Sequence, residues 1–292
     1  MIAAIPFPDI SPEIFAIDLF GFHLALRWYA MGYIAGIAIG WHLLKAALNR
    51  PALWSDGAPM AAAKLEDLLT YIVVGVIAGG RLGYVVFYQP AYYAANPLEI
   101  PMIWTGGMSF HGGFLGVVVA VILFSKRHAV PLGPLADGVA IATPLGAGLV
   151  RVANFINAEL WGRPTDVPWG VIFPGQAAQA CATVSQACVR HPSQLYEAAL
   201  EGLILGAVIL YLALRRGALK TPWVITGVFV AGYGFSRFII EFFRQPDVQF
   251  VTQGNPLGLA FHVDGWGLTM GQTLTLPMII VGIGVIIWAK RK

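Results

Sequence analysis

A chain of 292 residues that is 58% hydrophobic and only 11% charged is too apolar for a soluble domain and reads as an all-α polytopic integral membrane protein. Its formal charge of +3 is too small for a nucleic-acid partner, and the sequence has no basic arm or basic helix with interleaved aromatics. Residues 1 to 22 lack a basic start and carry Asp9, Glu13 and Asp18, so no cleavable signal peptide is expected and the first span acts as the targeting signal.

A membrane-crossing helix needs about 20 mostly apolar residues. By that rule seven transmembrane helices are predicted, near residues 24–44, 69–88, 110–125, 132–152, 196–214, 222–243 and 271–289. With the N-terminus outside, the inner segments hold Lys45, Arg50, Lys64, Lys126, Arg127, Arg215, Arg216, Lys220, Lys290, Arg291 and Lys292. The outer segments hold only Arg163 and Arg190, with Arg244 at a span end, a positive-inside pattern that leaves the C-terminus inside.

The loops differ in kind. Met60 to Leu69 reads as an interfacial amphipathic helix on the inner face, in a segment broken by Pro51, Gly57 and Pro59. Residues 158–192 carry Trp161, Pro164, Pro168, Trp169, Pro174, Cys181 and Cys188 and are long enough for a small folded cap over the outer face. The two cysteines form either a disulfide or two free thiols. Asp247 to Gly267 is rich in turn residues without usable periodicity. The glycine-rich stretches Gly79 to Gly83 and Gly112 to Gly116 are too short to count as an internal repeat. The chain is therefore expected to be a single membrane-embedded domain, 1–292, with 158–192 as its cap.

Ionisable residues inside spans are costly, by about 2.5–3.5 kcal/mol at a helix centre on insertion scales, and default to functional hypotheses. Arg27, Arg81, His111, Arg151, Arg237, Glu241 and Arg244 qualify, and the orientation puts them toward the outer leaflet. Snorkelling anchors would be shared between leaflets, so one cationic pocket at outer-leaflet depth is expected. On a helix Arg151, Asn154 and Asn157 recur at intervals of three along one side, with Glu159 offset by about a turn in a stretch that ends at Gly162, and they form a donor stripe suited to phosphate or carboxylate. The competing reading is a polar helix end at the membrane surface. Tyr233, Arg237 and Glu241 are spaced by four, with Arg244 three further on; Arg237 and Glu241 are either part of the site or a structural ion pair. His111, followed by Gly112 and Gly113, fits a general base or a hydrogen-bonded structural residue. Tyr29 fits a headgroup contact or a belt aromatic, and His191 at the start of the fifth span is equally open.

The segment Gly148 to Gly162, with Arg151, Asn154-Phe155-Ile156-Asn157 and Glu159, resembles the signature of bacterial prolipoprotein diacylglyceryl transferases. So do Arg27-Trp28-Tyr29, Gly80-Arg81-Leu82-Gly83-Tyr84, His111-Gly112-Gly113 and His191-Pro192-Ser193-Gln194-Leu195-Tyr196-Glu197. Tyr233-Gly234, Arg237, Glu241-Phe242 and Arg244-Gln245-Pro246-Asp247 complete the series, in family order along almost the whole chain. The region around 175–190 matches nothing in that pattern. The resemblance implies a transferase of the bacterial inner membrane, with its N-terminus and active site facing the periplasm. It would move the diacylglyceryl group of phosphatidylglycerol onto the lipobox cysteine of preprolipoprotein signal peptides, releasing glycerol phosphate. It also implies that activity depends on Arg151 and Arg237, with His111 and Tyr233 beside them and Asn154 and Gly162 important.

Combined with the residue chemistry, this predicts that Arg151 and Arg237 clamp the phosphate, that His111 takes the thiol proton, and that Tyr233 and Asn154 hold phosphate or glycerol oxygens. Tyr29, Arg81, Asn157, Glu159, Gly162, Glu241 and Arg244 complete the expected phosphatidylglycerol site. The substrate brings its own thiol, so no protein nucleophile, cofactor or metal is expected; no His-x-x-His, Cys-x-x-Cys or carboxylate cluster has ligand spacing. The expected partners are phosphatidylglycerol, the lipobox peptide and membrane lipids, with the chain working as a monomer. The alternative class is a transporter or channel for an anionic solute, which would place its charges along a route through the bilayer midplane instead of in one leaflet.

Overall fold

The structure is a computed structural model that describes residues 4–20, 22–181, 187–263 and 266–291. In chain order its strands are β1 (Ile5–Pro6), β2 (Glu13–Leu19) and β3 (Phe22–Arg27), then β4 (Val171–Ile172), β5 (Phe261–Val263) and β6 (Trp266–Leu268). Its helices are α1 (Trp28–Leu48), α2 (Leu65–Phe87), α3 (Pro90–Ala95), α4 (Phe110–His128), α5 (Leu132–Ile156), α6 (Gln176–Gln179), α7 (Ser193–Glu197), α8 (Leu205–Arg215), α9 (Val224–Ile240) and α10 (Met270–Arg291). Between α7 and α8 the helix continues through a π-helical stretch, Ala198–Ile204. Among the described residues five helices are long and apolar enough to cross a membrane: Trp28–Leu48, Ala62–Phe87, Leu132–Ile156, Ser193–Arg215 and Met270–Arg291. The two other segments read as spans, α4 and α9, are helices of 19 and 17 residues.

Three expectations change. Arg27 is not inside a span: it ends β3 and pairs with Glu13 at 3.2 Å, because residues 13–27 fold back as an antiparallel hairpin before α1 begins. Met60 to Leu69 is not a separate interfacial helix. A single 3-10 turn, Ala62–Lys64, runs straight into α2, and Leu65 and Leu68 are already buried at its start. The segment 247–267, without usable period in the sequence, contains the β5–β6 hairpin.

The chain divides into two compact units, residues 44–138 and the remainder, 1–43 with 139–292. In the first, α2 and α4 pack along small residues. A Cβ at Gly79 would strike the carbonyl of Gly112, and one at Gly83 would lie 2.7 Å from the Gly112 Cα. The glycine-rich stretches that fail as a repeat thus form the two sides of one helix seam, where missing side chains let backbones touch. Arg81, on the same helix, is buried. It donates from Nε to Ile100 O and from Nη2 to Glu99 O, each at 2.7 Å, and from Nη1 to the Gly106 carbonyl, with Tyr93 under its guanidinium.

In the second unit α9 packs on α10 and against α7 and α8. The described part of 158–192 packs around a small core with the N-terminal segment and the end of α5: Val171, Phe173 and Ala178 pack with Phe7, Phe155, Ala158 and Trp161, while residues 182–186 lie outside the described residues. Strand β1 pairs in parallel with β4, which ties the N-terminal segment to these residues. Cys181 and Cys188 are joined in a disulfide. Gln179 braces the same turn, donating to Phe173 O at 2.7 Å and accepting from Cys188 N at 2.9 Å.

Candidate active site

Helix α5 carries Arg151 near its C-terminal end, α9 carries Arg237, and the turn after α9 carries Arg244. All three guanidinium groups reach one carboxylate, that of Glu197 at the end of α7. Arg237 Nη1 lies 2.7 Å and Arg244 Nη1 3.1 Å from Glu197 Oε1, while Arg151 Nε lies 3.0 Å from Oε2. Glu197 is 1% exposed, whereas the arginines keep 19%, 17% and 20% of their side-chain surface in the order 151, 237 and 244. The carboxylate is the buried hub and the guanidinium groups form its accessible rim.

Two further carboxylates complete the cluster. Arg151 Nη2 is 3.8 Å from Glu201 Oε2, and Glu241 Oε2 lies 3.2 Å from Arg237 Nη2 and 3.6 Å from Arg244 Nε. Three arginines therefore meet three glutamates. The expected cationic pocket is instead a network in which every guanidinium has a carboxyl partner, because several buried guanidinium groups without partners would be too costly to desolvate. The pairing is uneven: Arg151 touches Glu197 as an ion pair by distance, yet Glu197 Oε2 and both oxygens of Glu201 are buried without a hydrogen-bond donor among the described residues. A carboxylate pair so poorly satisfied holds Arg151 by charge more than by geometry.

The sequence placed Glu197 at the end of a motif without a role in the site, and Glu201 was not singled out. The available signal was two glutamates four apart at the start of an apolar helix, the same criterion that picked out the arginines. The helix passes into its π-helical stretch between them, and Gly202, one residue on, has its Cβ position 2.6 Å from the Gly148 Cα of α5. That close approach sets α7 and the π turn beside the Arg151 end of α5. Single π turns inside α-helices recur at functional sites.

The rest of the expected site divides. Tyr233 is an electrostatic neighbour of Arg151, and Tyr29 shares a 3.3 Å hydroxyl contact with Tyr33 near the start of α1. Asn154 and Asn157 do not form an open donor stripe with Arg151. Helix α5 ends at Ile156, and both amides turn to Glu159 Oε1, at 2.7 Å from Asn154 Nδ2 and 3.4 Å from Asn157 Nδ2. Glu159 thereby closes the helix end. Gly162 sits where three segments cross: its N–H donates to His191 O at 2.9 Å, and a Cβ there would strike Phe243 O. Its absent side chain is a packing requirement. Arg190, also buried, donates to Gly162 O at 3.1 Å and to Gln245 Oε1 at 2.9 Å, with Trp161 under its guanidinium at 4.0 Å. His191 is set against Tyr196 Oη at 3.1 Å, and burial holds its imidazole below the ordinary histidine pKa. Arg81 and His111 belong to the other unit. Carbonyls take the donors of Arg81, so the headgroup contact expected of it gives way to bracing of residues 99–107, and His111 is an exposed residue in the first turn of α4.

Residues 15–288 match the prolipoprotein diacylglyceryl transferase family. The chain belongs to that family. Among similar proteins, the phosphatidylglycerol–prolipoprotein diacylglyceryl transferase of Roseobacter denitrificans is 62% identical over 292 residues, covering 100% of this chain and 99% of the relative. That of Ruegeria pomeroyi is 63% identical over 291 residues, 99% of each chain, and that of Rhizobium meliloti 45% identical over 290 residues, 99% of this chain and 95% of the relative.

Proposed function

We propose that this chain transfers the diacylglyceryl group of phosphatidylglycerol to the cysteine thiol of a lipobox in a preprolipoprotein, forming a thioether and releasing glycerol phosphate. The full-length identity to transferases of that name supports the reaction. The single observation that carries the site is the convergence of Arg151, Arg237 and Arg244 on Glu197.

The sulfur attacks the glycerol carbon that bears the phosphate oxygen; the carbon–oxygen bond breaks and its electron pair leaves with glycerol phosphate. Negative charge grows on phosphate oxygens, which guanidinium forks bind in two places. Lipid phosphate competes with Glu197 for Arg151 and Arg237, and the weakly satisfied Glu197 and Glu201 oxygens make Arg151 the readier of the two to change partner. A free thiol has a pKa near about 8.5 and needs a base or a positive field. His111 is the proposed base, and Tyr233 and Asn154 the proposed contacts to phosphate or glycerol oxygens. Tyr29, Asn157, Glu159, Gly162, Glu241 and Arg244 frame the lipid site, most of them by holding its walls.

In this reading the seven helices α1, α2, α4, α5, α7 with α8, α9 and α10 all cross the bacterial inner membrane. The N-terminus and the site then face the periplasm, the whole chain acts as one catalytic domain, and it works as a monomer without a cofactor. The test is thioether formation on a lipobox peptide with labelled phosphatidylglycerol and purified protein. Transfer of label to the peptide, with equimolar release of glycerol phosphate, is the expected result. Flux of an anion across proteoliposomes without transfer would replace this reading with transport.

A further inference from the structure

The two hairpins of the larger unit share an arrangement that the transfer chemistry does not require. In the β2–β3 hairpin the pairs Phe15 with Leu26 and Ile17 with Leu24 fall on one face, together with Leu19. All five side chains are exposed, and Phe20 at the tip is 91% exposed. The opposite face is ionic. Glu13 contacts Arg27 and His23 at 3.2 Å each, and His23 Nδ1 lies 2.7 Å from Asp18 Oδ1. The bulge between Glu13 and Phe15 brings Glu13 onto the side of His23. Period-two alternation has sorted one short ribbon into an apolar and a charged surface.

The β5–β6 hairpin repeats the apolar half of the pattern independently, with His262 paired to Gly267 on its other face. Its pairs Phe261 with Leu268 and Val263 with Trp266 share one face, with Phe261 and Val263 exposed and Trp266 86% exposed. Each hairpin runs almost without linker into a span: Arg27 is followed by the first residue of α1, and Leu268 precedes α10 by a single residue, Thr269. Both helices carry their basic residues at the far end, Lys45 in α1 and Lys290 with Arg291 in α10, which puts both hairpins on the same, outer side.

We propose that both hairpins lie on the outer leaflet as interfacial anchors, their apolar faces among the acyl chains near the headgroups and their other faces in water. The occupant is the lipid surface because each ribbon is tethered at the point where its span enters that surface. Exposed apolar faces of this kind, backed by the Glu13, Asp18, His23 and Arg27 cluster in one hairpin and by His262 and Gly267 in the other, are the β counterpart of an interfacial amphipathic helix. The inference rests on the spans and not on the transfer reaction.

The test uses the full chain in phosphatidylcholine nanodiscs with a nitroxide at Ile17→Cys, at Val263→Cys or, on the charged face, at Ala16→Cys. Cys181 and Cys188 are joined and do not compete for the label. Neighbours 16 and 17 point to opposite faces. A ratio of oxygen to aqueous nickel-complex accessibility severalfold higher at 17 and 263 than at 16 is expected. Equal nickel accessibility at 16 and 17 would overturn the proposal by showing a ribbon in water. Protection of 17 from both reagents would overturn it in favour of a protein partner.

Discussion

Arg151 and Arg237 approach the same carboxyl group from opposite oxygens: Arg151 Nε is 3.0 Å from Glu197 Oε2 and Arg237 Nη1 is 2.7 Å from Oε1. Helices α5 and α9 are thus coupled electrostatically through a residue of a third helix. An incoming phosphate would not enter an empty clamp but would exchange with a carboxylate already in it.

Replacing that carboxylate should expose the coupling. Glu197→Gln leaves three arginines facing two glutamates, and removing one partner of a buried pair costs about 3–5 kcal/mol. The expected outcome is a lower melting temperature in detergent, partly restored by phosphatidylglycerol. The lipid-induced shift should exceed that of the unmodified protein; equal shifts would mean that lipid phosphate does not meet these arginines.

Arg151→Lys and Arg237→Lys keep the charge and lose the planar fork. If the fork stabilises the departing phosphate, each should lower turnover by about 10²–10³-fold, the range found when one positioned donor is removed from a developing oxyanion. Label transfer to a lipobox peptide measures it, with melting temperature as the control for folding.

Gly162→Ala places a Cβ against Phe243 O and 2.8 Å from His191 Cβ. Overpacking of this kind costs about 1–3 kcal/mol. The crossing of residues 162, 191 and 243 should open, seen as faster proteolysis of the cap segment and lost activity even though residue 162 offers no side chain to lipid.

Arg81→Lys removes donors to Glu99, Ile100 and Gly106 carbonyls. The Glu99 and Ile100 acceptors are half-buried and Gly106 is exposed, so water takes up part of the about 1–3 kcal/mol that a fully buried orphan acceptor costs, and a loss of about 1–2 kcal/mol in stability is expected. Hydrogen exchange should rise in residues 97–107 before it rises elsewhere.

Burial lowers the His191 pKa below its unfolded value, so the unfolded chain binds the extra proton first as pH falls. The neutral imidazole's contribution is present above about pH 6.5 and declines below it. His23 has the opposite sign: Asp18 and Glu13 raise its pKa, and its contribution fades as pH rises. It is exposed, so solvent and salt screen it. Thermal unfolding between about pH 7.5 and 5.5 should show acid destabilisation that His191→Gln reduces.

What the sequence determined by itself was everything carried by local order along the chain. Apolar runs announced the helices that are long and apolar enough to cross, and the ionisable residues within or at the ends of the apolar runs named Arg151, Arg237, Glu241 and Arg244. The motifs, spread from Arg27 to Asp247, pointed to the family that residues 15–288 match. Only the tertiary structure decided partners. Glu197 lies 46 positions after Arg151 and 40 before Arg237, and nothing in spacing tells which of several carboxylates a guanidinium will meet once helices pack. The same holds for Asn154 and Asn157, whose helical stripe dissolves because α5 stops at Ile156 and Glu159 folds back to them. It holds for the glycines of α2 and α4, where too weak a repeat became a seam. Local periodicity reports which face is apolar; the register between elements fixes who touches whom, and that register is set by the sum of many contacts that no single segment contains.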